Sequence, residues 1–81
     1  MTPYTIFGRA GCGYCVRAKL RLEQEQIPFR YVDIHEAGIS KADLAKTIGK
    51  TVETVPQIFH GREYIGGYTD LEAYLDRILA A

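Results

Sequence analysis

The chain has 81 residues, about half the length of a usual domain, which leaves room for one domain spanning 1–81 and a thin core. Ten Lys and Arg balance ten Asp and Glu, with 47% apolar and 25% charged residues. That balance argues against a nucleic-acid binder, a polybasic membrane module and a disordered chain. No apolar run approaches the roughly 18 residues of a membrane span. The start, MTPYTIF, has no basic segment followed by an apolar one, so a cytoplasmic, unexported protein is expected.

In chain order, Pro3–Gly8 is rich in β-forming residues and ends in glycine, which predicts a first strand running into a loop at Gly8–Gly11. From Cys12 to about Gln26 the pattern is helical, with Cys15, Ala18 and Leu22 on one line and Val16 and Leu20 beside it. Pro28 stops that helix, and Phe29–Ile34 alternates like a second strand. Ser40-Lys41-Ala42-Asp43 has the form of a capping box opening a short helix that turns Leu44 and Ile48 inward and closes at Gly49. Gln57–Phe59 and Glu63–Ile65 predict a hairpin about His60-Gly61-Arg62. Thr69-Asp70-Leu71-Glu72 predicts a second capping box, and Leu71, Tyr74, Leu75, Ile78 and Leu79 form the apolar stripe of a last helix. A parallel βαβ unit followed by a hairpin gives a small mixed sheet with helices on its faces. No internal repeat or linker interrupts it.

The only two cysteines are three apart, as Cys12-Gly13-Tyr14-Cys15. A secreted domain of this size that is stapled by disulfides carries more cysteines, spread along the chain. A bridge across so short a loop stabilises a fold little, so the pair is expected to be reactive. Structural zinc would need His35 and His60 as further ligands, and their spacing does not fit; nothing places either beside Cys12, so both are expected to be surface residues. A Cys-x-x-Cys where a first strand hands over to a helix points to a thioredoxin-like redox fold. Cys12 falls at the first helical turn, where free N–H groups and the positive end of the helix dipole favour a thiolate. Arg9 lies ahead of it, and Arg17, Lys19 and Arg21 crowd the first half of the helix while Glu23 and Glu25 follow, an order the dipole disfavours but which places positive potential near the sulfur. Cys15, one turn deeper, is expected to be the less exposed sulfur, giving an attacking Cys12 and a resolving Cys15.

Two other clusters stand out. Pro56, in Thr54-Val55-Pro56-Gln57, has to sit at the start or edge of the third strand. A cis Val55–Pro56 bond would turn the Val55 backbone outward to pair with an extended peptide, although only about 5–6% of X–Pro bonds are cis. Gly66-Gly67-Tyr68-Thr69-Asp70 permits a tight turn into a helix N-terminus able to receive an anion, and Thr69 and Asp70 also suit capping alone.

The segments Gly8–Lys19, Val52–Phe59 and Ile65–Asp70, in this order and spacing, resemble the glutaredoxin family, most closely its bacterial glutaredoxin 1 subgroup. The similarity runs essentially end to end, including Tyr31–Ile34 and Gly49-Lys50. The resemblance implies an α/β thioredoxin-like fold, a small mixed four-stranded sheet flanked by three helices, with Pro56 in cis. It implies a glutathione-dependent thiol–disulfide oxidoreductase whose reductant, glutathione, lies in a groove. There Arg9 would meet the glycine carboxylate, Tyr14 would flank the sulfur, and Val55 beside Thr54 and Pro56 would pair with the cysteinyl unit. Tyr68, Thr69 and Asp70 would hold the γ-glutamyl end. A small anionic peptide needs just such strand-like pairing between charged clamps. Disulfide-containing or glutathionylated proteins are the implied partners, ribonucleotide reductase and sulfur- or arsenic-reducing enzymes among them. One departure is Gly13, where dithiol members carry proline. Some members without that proline hold a [2Fe–2S] cluster between two protomers through the first cysteine, here Cys12, and two glutathiones; the alternative is therefore a cluster-binding dimer acting as an iron–sulfur carrier, with a monomer otherwise expected.

Overall fold

The computed structural model describes residues 3–80. Its elements are β1 (Tyr4–Gly8), α1 (Gly13–Gln24), β2 (Phe29–Asp33), α2 (Lys41–Ile48), β3 (Gln57–His60), β4 (Glu63–Gly66) and α3 (Tyr68–Leu79). The sheet runs β2-β1-β3-β4. β1 pairs with β2 in parallel and with β3 antiparallel, and β3 pairs antiparallel with β4. This is the thioredoxin-like arrangement expected from the sequence.

Alternation along β1 sorts the sheet's two faces. Tyr4 and Ile6 join Ala18 and Leu22 of α1, Ile58 of β3 and Leu71 and Leu75 of α3 in the larger core cluster. Phe7, one residue out of phase, packs on the other face with Ile34, Leu44 and Val52, which α2 covers. The Cys15-Ala18-Leu22 line of α1 is fully buried as predicted, and Val16 and Leu20 beside it stay about half exposed. Gly8, at the inner end of β1, leaves room for close neighbours: a Cβ there would meet Tyr31 Oη and stand 2.9 Å from Cys15 Sγ.

Local chemistry explains the helix ends. Ser40 Oγ accepts the Asp43 N–H at 3.0 Å and the Asp43 carboxylate accepts the Ser40 N–H at 2.9 Å, the predicted capping box. These bonds hold the Asp43 carboxyl below its usual range. α3, by contrast, starts two residues earlier than the sequence suggests. Its N-cap is Gly67, not Thr69, and Asp70 sits at N3, accepting the Gly67 N–H at 3.1 Å. Glycine has no oxygen to return, so Thr69 is left exposed and uncapping. The stripe of α3 is also shorter than predicted, with Leu71 and Leu75 buried but Ile78 and Leu79 about half exposed beyond the sheet. α1 ends at Gln24, earlier than the predicted Gln26, which takes a left-handed φ of 57°.

The charge order of α1 has a structural use. Arg21 turns away from the thiol end and bridges to α3, its Nε to Glu25 and its Nη atoms to Glu72 and Asp76. One guanidinium with three carboxylates clamps the two helices on the face that carries the core, a network rather than an isolated exposed pair. The expectation that Arg21 lends positive potential to the sulfur is therefore corrected.

His60 also differs from the surface role expected of it. It is half-buried, stacks on Tyr4 with ring centroids 4.2 Å apart, and shares a 2.8 Å hydrogen bond with Tyr74 Oη. The same hydroxyl donates to Glu63 at 3.0 Å. Desolvation first, then the bond to Glu63 and its charge, push the Tyr74 phenol up to about 12. The folded state then holds this proton more tightly than the unfolded chain, whose phenol titrates near 10. The neutral phenol's contribution is complete below pH 10 and is lost as pH rises toward 12. Urea midpoints measured from pH 9 to 12 are expected to fall over that window, and Tyr74→Phe is expected to flatten the fall.

Candidate functional site

The site forms where β1 ends and α1 begins. Cys12 is the N-cap of α1 with extended backbone, so its sulfur stands at the helix mouth, where Sγ accepts the Cys15 N–H at 3.2 Å. Cys12 and Cys15 are joined as a disulfide, with Cα atoms 5.2 Å apart. Cys15 is fully buried and Cys12 is 8% exposed, the asymmetry the helical line predicted. On reduction, the Cys15 N–H would give Cys12 a charge-assisted bond at the positive end of the dipole, which lowers a thiol's pKa.

Across from the sulfur lies the segment before β3. Val55–Pro56 is cis, as the resemblance implied, and the Val55 carbonyl oxygen is 3.6 Å from Cys12 Sγ. A groove of about 880 Å³ runs beside this segment. It brings together Tyr14, Thr54, Val55, Pro56, Tyr68, Thr69 and Asp70, seven residues separated by up to 56 positions in the chain. Tyr14 and Tyr68 stack at 5.7 Å and form one wall. Burial raises the Tyr68 phenol, with its bond to Glu72 adding to the effect. Volume and mixed lining suit a small polar ligand.

Arg9 is not part of this groove. It is exposed, it lines a second depression of about 380 Å³ with Cys12, Tyr14, Arg17 and Val55, and its guanidinium donates to the Ala10 carbonyl at 3.3 Å. Since Tyr14 and Val55 line both hollows, the two adjoin there; Cys12 lines the smaller one with Arg9, and Asp70 lies in the larger. Arg17 is also here, its guanidinium 5.6 Å from the Tyr14 ring centroid, whereas Lys19 lies over Tyr31.

Sequence reasoning missed Lys50, Gln57 and Tyr64 as lining residues. Lys50 belongs to the Gly49-Lys50 segment, for which the resemblance implies no role, and Gln57 and Tyr64 have the pattern of ordinary strand residues. Only pairing of β3 with β4 turns Tyr64 toward the groove. Among the described residues no three His, Cys, Asp or Glu side chains come together as a metal site. His35 is exposed and His60 is engaged by Tyr4 and Tyr74 at the far end of β3. No helix among those residues is long and apolar enough to cross a membrane.

A helix-borne Cys-x-x-Cys disulfide facing a cis-proline loop on this sheet defines a thioredoxin-fold thiol–disulfide oxidoreductase. Residues 4–65 match the family model described as Glutaredoxin. A glutaredoxin of Vibrio cholerae is 62% identical, over 85% of this chain and 85% of that protein. The solution structure of oxidised Escherichia coli glutaredoxin superposes with a TM-score of 0.84 at 49% identity, covering 98% of this chain and 99% of that one. A buckwheat glutaredoxin–glutathione complex superposes at 0.78 with 28% identity, covering 98% and 74%. The chain belongs to the glutaredoxin family, the glutathione-dependent disulfide oxidoreductases.

Two glycines of the site respond oppositely to substitution. Gly66 has φ +127°, and a Cβ there would strike the Asp70 carboxylate. Gly66→Ala is expected to displace the Asp70 carboxylate from the Gly67 N–H and to lower the midpoint of urea unfolding. Gly13 is the first helical residue, with nothing within 4 Å of a Cβ. Proline suits that position and restricts the unfolded chain, so Gly13→Pro is expected to add about 0.4–1 kcal/mol of stability. It is also expected to shift the reduction potential of the Cys12–Cys15 pair, measured against a glutathione redox buffer; identical potentials would separate Gly13 from redox tuning.

Proposed function

We propose that Cys12 is the attacking thiolate and Cys15 the resolving thiol, and that the groove from Arg9 to Asp70 holds glutathione. The observation that carries the reading is the Cys12 sulfur at the mouth of α1, 3.6 Å from the carbonyl of Val55, a residue that lines both hollows. Glutathione is an extended peptide with a carboxylate at its glycine end and an ammonium and carboxylate at its γ-glutamyl end. In this assignment the Val55 backbone pairs with the cysteinyl unit, held between Thr54 and Pro56 on one side and Tyr14 on the other. Arg9 meets the glycine carboxylate. Asp70 meets the ammonium, while the α3 N-terminus, with Tyr68 and Thr69, receives the γ-glutamyl carboxylate. The glutathione complex of the buckwheat relative supports a ligand of this chemistry.

For a protein disulfide, the Cys12 thiolate attacks one sulfur, the other leaves as a thiolate and takes a proton, and a mixed disulfide remains. The Cys15 thiolate then attacks Cys12, freeing the second target thiol and leaving Cys12–Cys15 oxidised. One glutathione thiolate opens that bond at Cys12, and a second attacks the glutathione sulfur, releasing glutathione disulfide and the Cys12 thiolate. Two electrons and two glutathiones are used per cycle. A glutathionylated target loses its glutathione to Cys12 directly and needs no Cys15.

The targets on this reading are disulfide-containing or glutathionylated proteins, with ribonucleotide reductase a candidate on family resemblance alone. The protein works as a monomer in the cytoplasm, where the glutathione pool keeps such a pair reducible.

Reduction of disulfides coupled to NADPH, glutathione and glutathione reductase tests the assignment. Cys12→Ser is expected to abolish turnover of every substrate. Cys15→Ser is expected to keep reduction of glutathione mixed disulfides and lose that of protein disulfides. Asp70→Asn keeps an oxygen for the Gly67 N–H and removes the charge, so its expected tenfold or greater rise in glutathione KM reports ligand binding rather than capping. Full activity in Cys12→Ser, or an unchanged KM in Asp70→Asn, would overturn the corresponding role.

A further inference from the structure

The segment facing Cys12 is held from behind by two side chains that the catalytic cycle does not use. Residues 51–56, between α2 and β3, take part in none of the loop and turn backbone hydrogen bonds formed among the described residues. A side chain does that work instead. Gln57 is 7% exposed, and its Nε2 donates to the Thr54 carbonyl oxygen at 2.8 Å. A carbonyl only accepts, so this contact fixes the amide's orientation and leaves Oε1 facing the other way. Oε1 accepts the hydroxyl of Tyr64 on β4, which must be the donor. Burial, and then the Asp70 charge, raise the Tyr64 phenol, keeping that proton in place through neutral pH. Lys50 Nζ lies 5.1 Å from the Tyr64 ring centroid, capping it toward the groove.

We infer that Gln57 and Tyr64 are positioning residues for the reductant: the Tyr64–Gln57–Thr54 hydrogen-bond chain sets the height of Thr54-Val55-Pro56 against Cys12, so that the Val55 backbone meets glutathione at pairing distance. The inference rests on the reading of the groove as the glutathione site. Thr54 and Val55 are consecutive, so a shift of the Thr54 carbonyl carries the Val55 carbonyl with it. A displacement of 1 Å at such a place is enough to cost large factors in rate. The chain also links the γ-glutamyl end of the ligand to its cysteinyl unit, because Tyr64 lies beside Asp70 and Gln57 beside the proline.

The test is steady-state reduction of a small glutathione mixed disulfide by the full chain, with glutathione varied at each pH. Gln57→Leu keeps the volume and removes both bonds, one of them to a buried carbonyl, so glutathione KM is expected to rise about tenfold with kcat within about twofold. Tyr64→Phe removes one donor and leaves the fold's ring in place, and a rise of about threefold is expected. It decides the matter if Gln57→Leu does not fold. Gln57→Glu sets a carboxylate oxygen against the Thr54 carbonyl, and only a protonated carboxyl can donate there. Its kcat/KM relative to the parent is therefore expected to recover as pH falls from 8 to 5.5, while the ratio for Gln57→Leu stays flat. A loss in all three variants without that recovery would reduce Gln57 to a packing role and overturn the inference. Parental KM in the Gln57 and Tyr64 variants beside a raised KM in Asp70→Asn would overturn it and leave the groove intact. An unchanged KM in Asp70→Asn as well would remove the groove reading itself.

Discussion

The whole site depends on where the first turn of α1 comes to rest. Packing of Ala18 and Leu22 against Ile6 and Ile58 presses the helix onto the sheet, and the same line ends in Cys15, fully buried over Gly8. With Cys15 fixed, Cys12 has to emerge one turn earlier at the N-cap. The N–H that Cys15 points at Cys12 Sγ is then one of the donors a helix start leaves without an intrahelical partner. The core therefore aims the chemistry: a buried apolar line places one sulfur inside and the other at the only part of the helix that favours an anion. The buried sulfur needs room beside the strand, and a side chain at position 8 would collide with it.

Legibility in the sequence followed the range of the interaction. The helices and strands show in local periodicity, and the Ser40–Asp43 box is a contact between near neighbours, so both could be read directly. The Cys15-Ala18-Leu22 line was equally plain, and with it the burial order of the two sulfurs. The α3 start was misplaced because Thr69 followed by Glu72 has the form of a box. Asp70 forms its own bond to Gly67 instead, and a glycine N-cap gives no side-chain signal. Arg21 was credited to the thiol because its partners, Glu72 and Asp76, are about fifty residues away. His60 was taken for a surface residue for the same reason, its partners Tyr4 and Tyr74 coming from opposite ends of the chain. Of the groove, Tyr14, Thr54–Pro56 and Tyr68–Asp70 were legible because they stand in or beside the motifs, whereas Gln57, although next to Pro56, and Tyr64 join the lining only through the pairing of β3 with β4.

The distribution of charge around the sulfur is more economical than the sequence suggests. Of the three cations of α1, Arg21, in its last turn, is spent on three carboxylates and Lys19 lies over Tyr31. That leaves Arg17, which shares the Cys12 hollow with Arg9 and covers the Tyr14 ring. Arg17 and Arg9 are exposed, so water and salt weaken their pull on a thiolate. The Cys15 N–H acts at 3.2 Å inside a buried contact and is screened far less. Thiolate stabilisation here accordingly belongs first to the helix backbone and second to side-chain charge.

That ranking separates two properties that a row of basic residues would otherwise confound. A thiolate held by backbone donors keeps its reactivity whatever the salt, since those donors move only with the helix. On the proposed reading, recognition of an anionic peptide by Arg9 at the rim weakens as salt rises, because its guanidinium faces solvent. Reactivity and recognition thus rest on different groups at the same sulfur. On that reading the helix start serves any disulfide that reaches it, and the exposed Arg9, with Asp70 at the other end, selects among the molecules that do.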